Sequence, residues 1–288
     1  MKIGVCTTDF KPRDMDGLFC AIAGMGFDCV QFALASIAES DFVESESIEI
    51  PAEIPSGLPA RVAECAKAHN LGIVALNGTY NMAHPDKEIR EEGARRFLKL
   101  IDAAAEMGVP YITLCTGSRS RASLWKRHPD NESEAAWRDM AAGMGIILPH
   151  AEKMGVTLLI ETEASNTVRT PARARRLMDE MGSQNLKVVL DPANVFLPGA
   201  ARPENVRAVL DDAFLNFGKD VVLAHGKDIR AGADIDFCGT GLGIVDFPYM
   251  LERLEALGFE GDMVLHGIYD ETDMPRALSL MRSIVKNA

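Results

Sequence analysis

Residues 154–166 read Met-Gly-Val-Thr-Leu-Leu-Ile-Glu-Thr-Glu-Ala-Ser-Asn. An amphipathic helical pattern over 132–154 runs into this stretch and stops at Gly155, the residue type that most readily adopts the left-handed turn closing a helix. The apolar run 156–160 is too short for a helix and has no polar alternation, so it reads as a strand covered on both faces. A carboxylate, Glu161, falls where that strand ends. The same order of helix, glycine and strand recurs at Met25-Gly26, Leu71-Gly72, Met107-Gly108 and Leu257-Gly258, where each glycine is expected to act as the left-handed cap.

Moving outward, short apolar runs lie at 3–6, 29–34, 73–76, 111–115, 156–160, 187–190, 221–224 and 263–265. Helical patterns lie near 15–25, 58–70, 86–107, 132–154, 171–181, 203–217, 246–257 and 274–286. Strands alternating with helices define an α/β fold with a parallel sheet. An open doubly wound sheet would also satisfy the alternation, but eight units in 288 residues favour closure into a (β/α)₈ TIM barrel, expected as one domain over 1–288. The acidic, proline-bearing stretch 36–57 reads as an extended loop after strand 2, and Asn131 ahead of Glu134 reads as a helix N-cap completing a capping box. No period of a repeat array is present.

Composition narrows the function classes. Apolar residues make up 47%, and 30 basic against 42 acidic residues leave a net charge of −12, which argues against a broad phosphate-binding surface and hence against a nucleic-acid partner. The 6 cysteines form no C-x-x-C pair, consistent with reduced thiols in the cytoplasm. The N-terminus lacks the apolar core of a signal peptide, and no run approaches the roughly 18 apolar residues of a membrane span.

In a barrel of this kind function sits at the C-terminal ends of the strands. There the sequence places Glu161 after strand 5, Asp191 after strand 6, His225 after strand 7 and His266 after strand 8. Two carboxylates and two imidazoles in one layer suit one divalent metal ion; Mn²⁺, Fe²⁺, Co²⁺ or Zn²⁺ fits this mixed nitrogen and oxygen set better than Mg²⁺. Glu163 shares the parity of Glu161, but Glu161 directly ends the apolar run. Lys227, two residues beyond His225, points to the same side and is a candidate proton donor. The loop after strand 4 carries Arg119, Trp125 and His128, expected to stack on a substrate and hold a polar or anionic group. Tyr80, with Asn81 and His84 after strand 3, is a further candidate for the pocket wall. The glycines of 239–243 do not follow a strand and open a helix with a dinucleotide fingerprint, and read as a flexible loop.

The segments IETEASN, LDPAN, AHGKD and GTGLGIVDFPYMLERLEALGFEGDMVLHG resemble the second half of the xylose-isomerase-like barrels of the sugar phosphate isomerase/epimerase superfamily. That superfamily includes ketose epimerases, hydroxypyruvate isomerases, inosose dehydratases and the second family of apurinic endonucleases. The resemblance implies a metal-dependent isomerase or epimerase acting on a sugar, sugar acid or polyol through an enediolate. A lyase or dehydratase on a keto-sugar, or a non-catalytic sugar- or metal-binding barrel, is the alternative. The epimerases hold one Mn²⁺ or related ion by Glu, Asp, His and Glu. Carried over, these positions fall on Glu161, Asp191, His225 and His266, and the last departs from the pattern. Glu161 would then be the principal base, with a carbohydrate as the partner and a homo-oligomer left open. The endonucleases use a three-zinc cluster with further histidines, where this chain has Asn194, Cys238 and Cys115. Asn194 is read instead as a substrate contact.

Overall fold

A computed structural model describes residues 1–37 and 47–287. Eight strands, β1 (Ile3–Cys6), β2 (Cys29–Phe32), β3 (Gly72–Asn77), β4 (Tyr111–Leu114), β5 (Thr157–Ile160), β6 (Leu186–Leu190), β7 (Val221–Gly226) and β8 (Asp262–Leu265), form a closed parallel barrel in sequence order, with β8 returning to β1. Eight helices surround it: α1 (Met15–Met25), α2 (Leu58–Ala68), α3 (Lys87–Met107), α4 (Glu134–Met154), α5 (Pro171–Met181), α6 (Val206–Phe217), α7 (Phe247–Ala256) and α8 (Met274–Asn287). The expected (β/α)₈ architecture is therefore present, with strand and helix bounds within a few residues of the sequence reading. Of the loop expected over 36–57, residues 38–46 lie outside the described residues.

Two apolar layers explain how the barrel positions its chemistry. The large core packs one face of each strand against the helices, through residues such as Val5, Leu76, Ile112, Leu158, Val188, Ala224 and Leu265. A small second core gathers Cys6, Ala75, Leu159, Val189, Leu223 and Val264. These alternate along their strands with the first set, so they fill the barrel interior. Two residues on from each inward position, the side chain again faces the axis: Leu159 leads to Glu161, Val189 to Asp191, Leu223 to His225 and Val264 to His266. Full burial of each branched side chain stabilises the fold by about 1.5–3 kcal/mol, so a slip that turned the site residues outward would also turn this core into the helix layer.

Glycine caps appear where expected at Gly26, Gly108 and Gly155, all left-handed, and Gly258 has φ +76°. Two local expectations are corrected. Helix α2 ends on His69, and Asn70 (φ 58°) takes the left-handed turn, which leaves Gly72 to begin β3. Helix α4 is capped by Ser133, whose side chain accepts from the Ala136 N–H. Asn131 is buried instead, accepting from the Arg119 N–H (2.7 Å) and donating to the Ser165 carbonyl (2.7 Å), so it ties the loop after β4 to the loop after β5. No helix among the described residues is long and apolar enough to cross a membrane.

Beyond β7 a two-stranded antiparallel hairpin (Asp228–Ile229 with Phe237–Cys238) leads into the glycine-rich segment. That segment is anchored, contrary to the flexible loop expected. The Asp228 carboxylate accepts from the N–H groups of Ile229, Gly241, Gly243 and Val245 at 2.9–3.0 Å. A side chain at Gly243 would collide with the Ile229 carbonyl and the Asp228 carboxylate, which is why a glycine is needed there.

Candidate metal centre

Glu161, Asp191 and His225 meet at one mouth of the barrel, buried, each offering a ligand atom within 4.8 Å of the others. His225 Nδ1 lies 3.2 Å from Asp191 Oδ2 and 3.6 Å from Glu161 Oε1. Asp191 is held by its own turn: Oδ1 accepts from the Ala193 and Asn194 N–H groups at 2.9 and 3.1 Å, leaving Oδ2 for the centre.

The tautomer of His225 follows from its neighbours. Its Nε2 is 2.9 Å from Gln31 Oε1. The Gln31 amide nitrogen donates to Asn77 Oδ1 (2.9 Å) and Thr113 Oγ1 (3.1 Å), so its oxygen is the face turned to His225 and must accept. His225 therefore carries hydrogen on Nε2, and its Nδ1 lone pair points at two carboxylates. Three electron-rich atoms this close and this buried are stabilised by a cation between them. A proton fills that place when nothing else does. Burial disfavours the imidazolium, yet Glu161 and Asp191 outweigh it and push His225 up to about 9. Asp191 is likewise held well below the usual carboxylate range: burial opposes its charge, and Lys227 and His225 overcome the opposition. A divalent ion fits the same place, because the donors, their burial and the anchored second nitrogen are those of a histidine–carboxylate metal site.

His266 stands beside this cluster and is not one of its three members. Its ring meets that of His225 edge-on, with centroids 5.4 Å apart, and its Nδ1 lies 3.2 Å from Asp9 Oδ1. Asp9 Oδ2 accepts from the Ile268 N–H at 2.9 Å, so the turn after β1 orients the residue after β8. Asp9 escaped the sequence reading because it follows β1 by three residues inside a 3₁₀ turn, Thr7–Asp9, where a carboxylate reads as a cap.

Around the centre, Lys227 Nζ donates to Asn194 Oδ1 (3.1 Å), sits 4.0 Å from Asp191 Oδ2 and lies 3.8 Å over the Phe237 ring. Asn194 Nδ2 in turn donates to Glu161 Oε1 at 2.6 Å, linking the lysine to the glutamate. Burial works against the Lys227 charge, but Asp191, Glu161 and Glu163 raise its pKa above the ordinary lysine value. Burial raises Glu163, whose Oε1 accepts from the Ser165 N–H and hydroxyl, both at 3.1 Å.

These groups line a cavity of about 620 Å³, a volume suited to a small molecule. Its wall includes Gln31, Asn77 and Thr113 within β2, β3 and β4, Glu161, Lys227 and His266 directly after β5, β7 and β8, and Thr79, Glu163 and Asn194 further along the loops after β3, β5 and β6. Trp125 and Glu49 meet across the rim, where the indole N–H donates to Glu49 Oε1 at 2.7 Å.

Tyr80, Arg119 and His128 are not among the lining residues. Tyr80 is fully buried, its ring tilted on Phe97 at 5.8 Å and facing Gly93 of α3. It has the outward parity of Leu76, which the strand alternation would have indicated. Asn81 and His84 close the same turn, accepting from the N–H groups of Ser118 and Asp86. Arg119 turns away to Asp139 on α4 (2.7 Å) and the Ala83 carbonyl (3.2 Å). His128 accepts from the Asp130 N–H at 3.2 Å, capping the short turn Pro129–Glu132. Arg119 and His128 border a separate surface depression with Arg121, Lys126 and Arg127.

Fold and site together define a barrel with a buried Glu–Asp–His cluster at its mouth whose donors suit a metal ion. The chain belongs to the xylose isomerase-like TIM barrel family, whose sequence model matches residues 19–284. Among solved structures, a D-tagatose 3-epimerase-like protein superposes with a TM-score of 0.77 at 16% identity, over 99% of this chain and 97% of that one. The IOLI protein, whose structure holds a zinc atom, superposes with a TM-score of 0.71 at 18% identity, over 100% and 99%. At such identities the likeness establishes the fold. A curated relative from Natronomonas pharaonis, described as a probable endonuclease 4, is 27% identical over 164 residues, covering 56% of this chain and 53% of the relative. The chain thus spans about half the length of that relative.

Proposed function

We propose that the protein is a divalent-metal-dependent isomerase or epimerase of a sugar or related polyol. The observation that carries this reading is His225 Nδ1 facing Glu161 and Asp191, with Glu161 also lining a cavity of about 620 Å³. Glu161, Asp191 and His225 would hold the ion, with His266 beside them, kept in place by Asp9. The bound ion supplies Lewis acidity toward a carbonyl or hydroxyl oxygen, which makes the neighbouring C–H easier to deprotonate. The D-tagatose 3-epimerase-like neighbour, and the neighbour whose structure holds zinc, favour this class. The nitrogen and oxygen donors suit Mn²⁺, Fe²⁺, Co²⁺ or Zn²⁺.

The chain's own residues divide the remaining work. Glu161 abstracts the proton, its carboxylate aligned by Asn194. Lys227, charged and reaching the cavity wall, returns a proton or stabilises developing negative charge on oxygen. Asn77, Thr79, Thr113 and Ser165 offer hydrogen bonds to hydroxyl groups, and Trp125 offers a stacking face. Glu49, Glu161 and Glu163 share the lining with Lys227, while Arg119 and His128 lie outside it. That balance favours a neutral substrate over a sugar acid or phosphate. The nuclease reading suggested by the curated relative is weaker, because Asn194 and Cys238 stand where the three-zinc enzymes need histidine.

Exchange of substrate C–H with deuterated solvent tests the proposal. Mn²⁺-loaded protein is mixed with a panel of neutral ketoses and inositol ketones and followed by NMR. Deuterium enters at the carbon next to the carbonyl for at least one compound, and Glu161→Gln lowers the rate at least about 100-fold. No exchange across the panel in protein that carries its ion would remove the isomerase reading. Exchange accompanied by loss of water would transfer the chain to the lyases.

A further inference from the structure

A second set of metal donors lies on the outer surface, away from the barrel mouth. Asp16 is in the first turn of α1, and Cys65 and His69 are one turn apart at the end of α2. Residues four apart on a helix share a face, and here the spacing is fixed by the helix itself: the His69 N–H bonds to the Cys65 carbonyl at 3.3 Å. Asp16 Oδ1 reaches across to 2.8 Å from His69 Nε2 and 4.0 Å from Cys65 Sγ. The three ligand atoms all lie within 4.8 Å of one another. A tetrahedral ion with bonds of about 2.0–2.3 Å needs its ligand atoms about 3–4 Å apart, so only small rotations separate this arrangement from coordination.

We infer that Asp16, Cys65 and His69 form a surface binding site for a thiophilic divalent cation, Zn²⁺ first among them, which clamps the end of α2 to the start of α1. The donor set decides the class of ion. Sulfur and imidazole select zinc and its neighbours over Mg²⁺ or Ca²⁺, and the thiolate and carboxylate together neutralise a doubly charged ion. Binding releases the thiol proton of Cys65 to solvent. The Asp16 side chain is 80% exposed and that of His69 21%, so an ion reaches the site without opening the fold, and water completes its shell. The ion pair between Asp16 and His69 does not by itself call for a thiol on the same helix face. This site differs from the barrel centre in kind, since none of Glu161, Asp191 and His225 offers sulfur.

Cobalt separates the two sites, because only a thiolate ligand gives bound Co²⁺ an intense near-ultraviolet charge-transfer band. The full chain is titrated with Co²⁺ as wild type, Asp191→Asn, Cys65→Ser, His69→Ala and Cys20→Ser, with circular dichroism confirming the fold of each. The band grows to saturation by about two equivalents in wild type, where the barrel centre takes the other ion, and by about one equivalent in Asp191→Asn, where it persists. Cys65→Ser abolishes it, His69→Ala weakens Co²⁺ binding at least about tenfold, and Cys20→Ser leaves it intact. Zn²⁺ displaces the cobalt and bleaches the band. A wild type without the band would reduce the cluster to an ion pair and overturn the inference. So would a band that survives Cys65→Ser or disappears in Cys20→Ser or Asp191→Asn. Loss of barrel binding in Asp191→Asn with the band retained leaves both sites standing as independent.

Discussion

The ends of β5 to β8 and the loops after β3 and β4 occupy the same face of the barrel yet behave differently. Glu161, Asp191, His225 and His266 all reach the centre or its edge, because each lies two residues beyond an inward-facing core residue and the barrel leaves the backbone no other course. Tyr80, Arg119 and His128 belong to loops, and local competition settles their direction. A glycine in α3 makes room for the Tyr80 ring, Asp139 captures Arg119, and a turn N–H captures His128. Register therefore fixes the chemistry at strand ends, whereas a residue type in a loop says little about where its side chain goes.

That contrast can be broken at its strongest point first. His225→Ala removes the central imidazole and should lower metal-dependent exchange activity by more than about 100-fold, as measured by the deuterium assay. Activity within tenfold of wild type would mean that the strand-end cluster is not the working site. Gln31→Leu comes next. It leaves every proposed ligand in place but removes the acceptor that fixes the His225 tautomer, so Mn²⁺ affinity should fall about 10–100-fold. An unchanged affinity would show that another contact sets that ring.

Smaller effects sharpen the loop side. Trp125→Phe keeps an aromatic face and loses only the bond to Glu49, so substrate KM should rise by a few fold at most. Arg119→Ala should leave KM unchanged and cost about 1 kcal/mol of stability in denaturant unfolding, through the lost link to Asp139 and Ala83. A KM effect of Arg119→Ala larger than that of Trp125→Phe would reverse the placement of the two residues. Tyr80→Phe has the smallest expected consequence. Among the described residues the buried Tyr80 hydroxyl has no hydrogen-bond partner, so its removal should leave activity intact and raise Tm slightly.

Much of this was legible in the sequence for one physical reason. Short apolar runs, glycine stops and polar residues at run ends all report the same period, so barrel, strand order and the convergence of Glu161, Asp191 and His225 could be read together. The partners of these strand-end side chains were harder. Gln31 lies inside β2 and Asp9 in the turn after β1, far in sequence from His225 and His266, and only closure of the barrel brings them into contact. Asn131 shows the opposite difficulty: a residue well suited to capping a helix was used to join two loops, and Ser133, two residues on, took the cap.

Mn²⁺ titration followed by electron paramagnetic resonance tests the central claim most directly, since Mn²⁺ prefers oxygen and nitrogen donors and leaves the thiol site on α1 and α2 aside. Wild type should silence the free-ion signal up to about one equivalent, and Asp191→Asn should weaken that binding at least about 100-fold while retaining the folded circular dichroism spectrum. Failure of the wild type to bind Mn²⁺, Co²⁺ or Zn²⁺ at the barrel mouth, or binding that Asp191→Asn leaves untouched, would contradict the account.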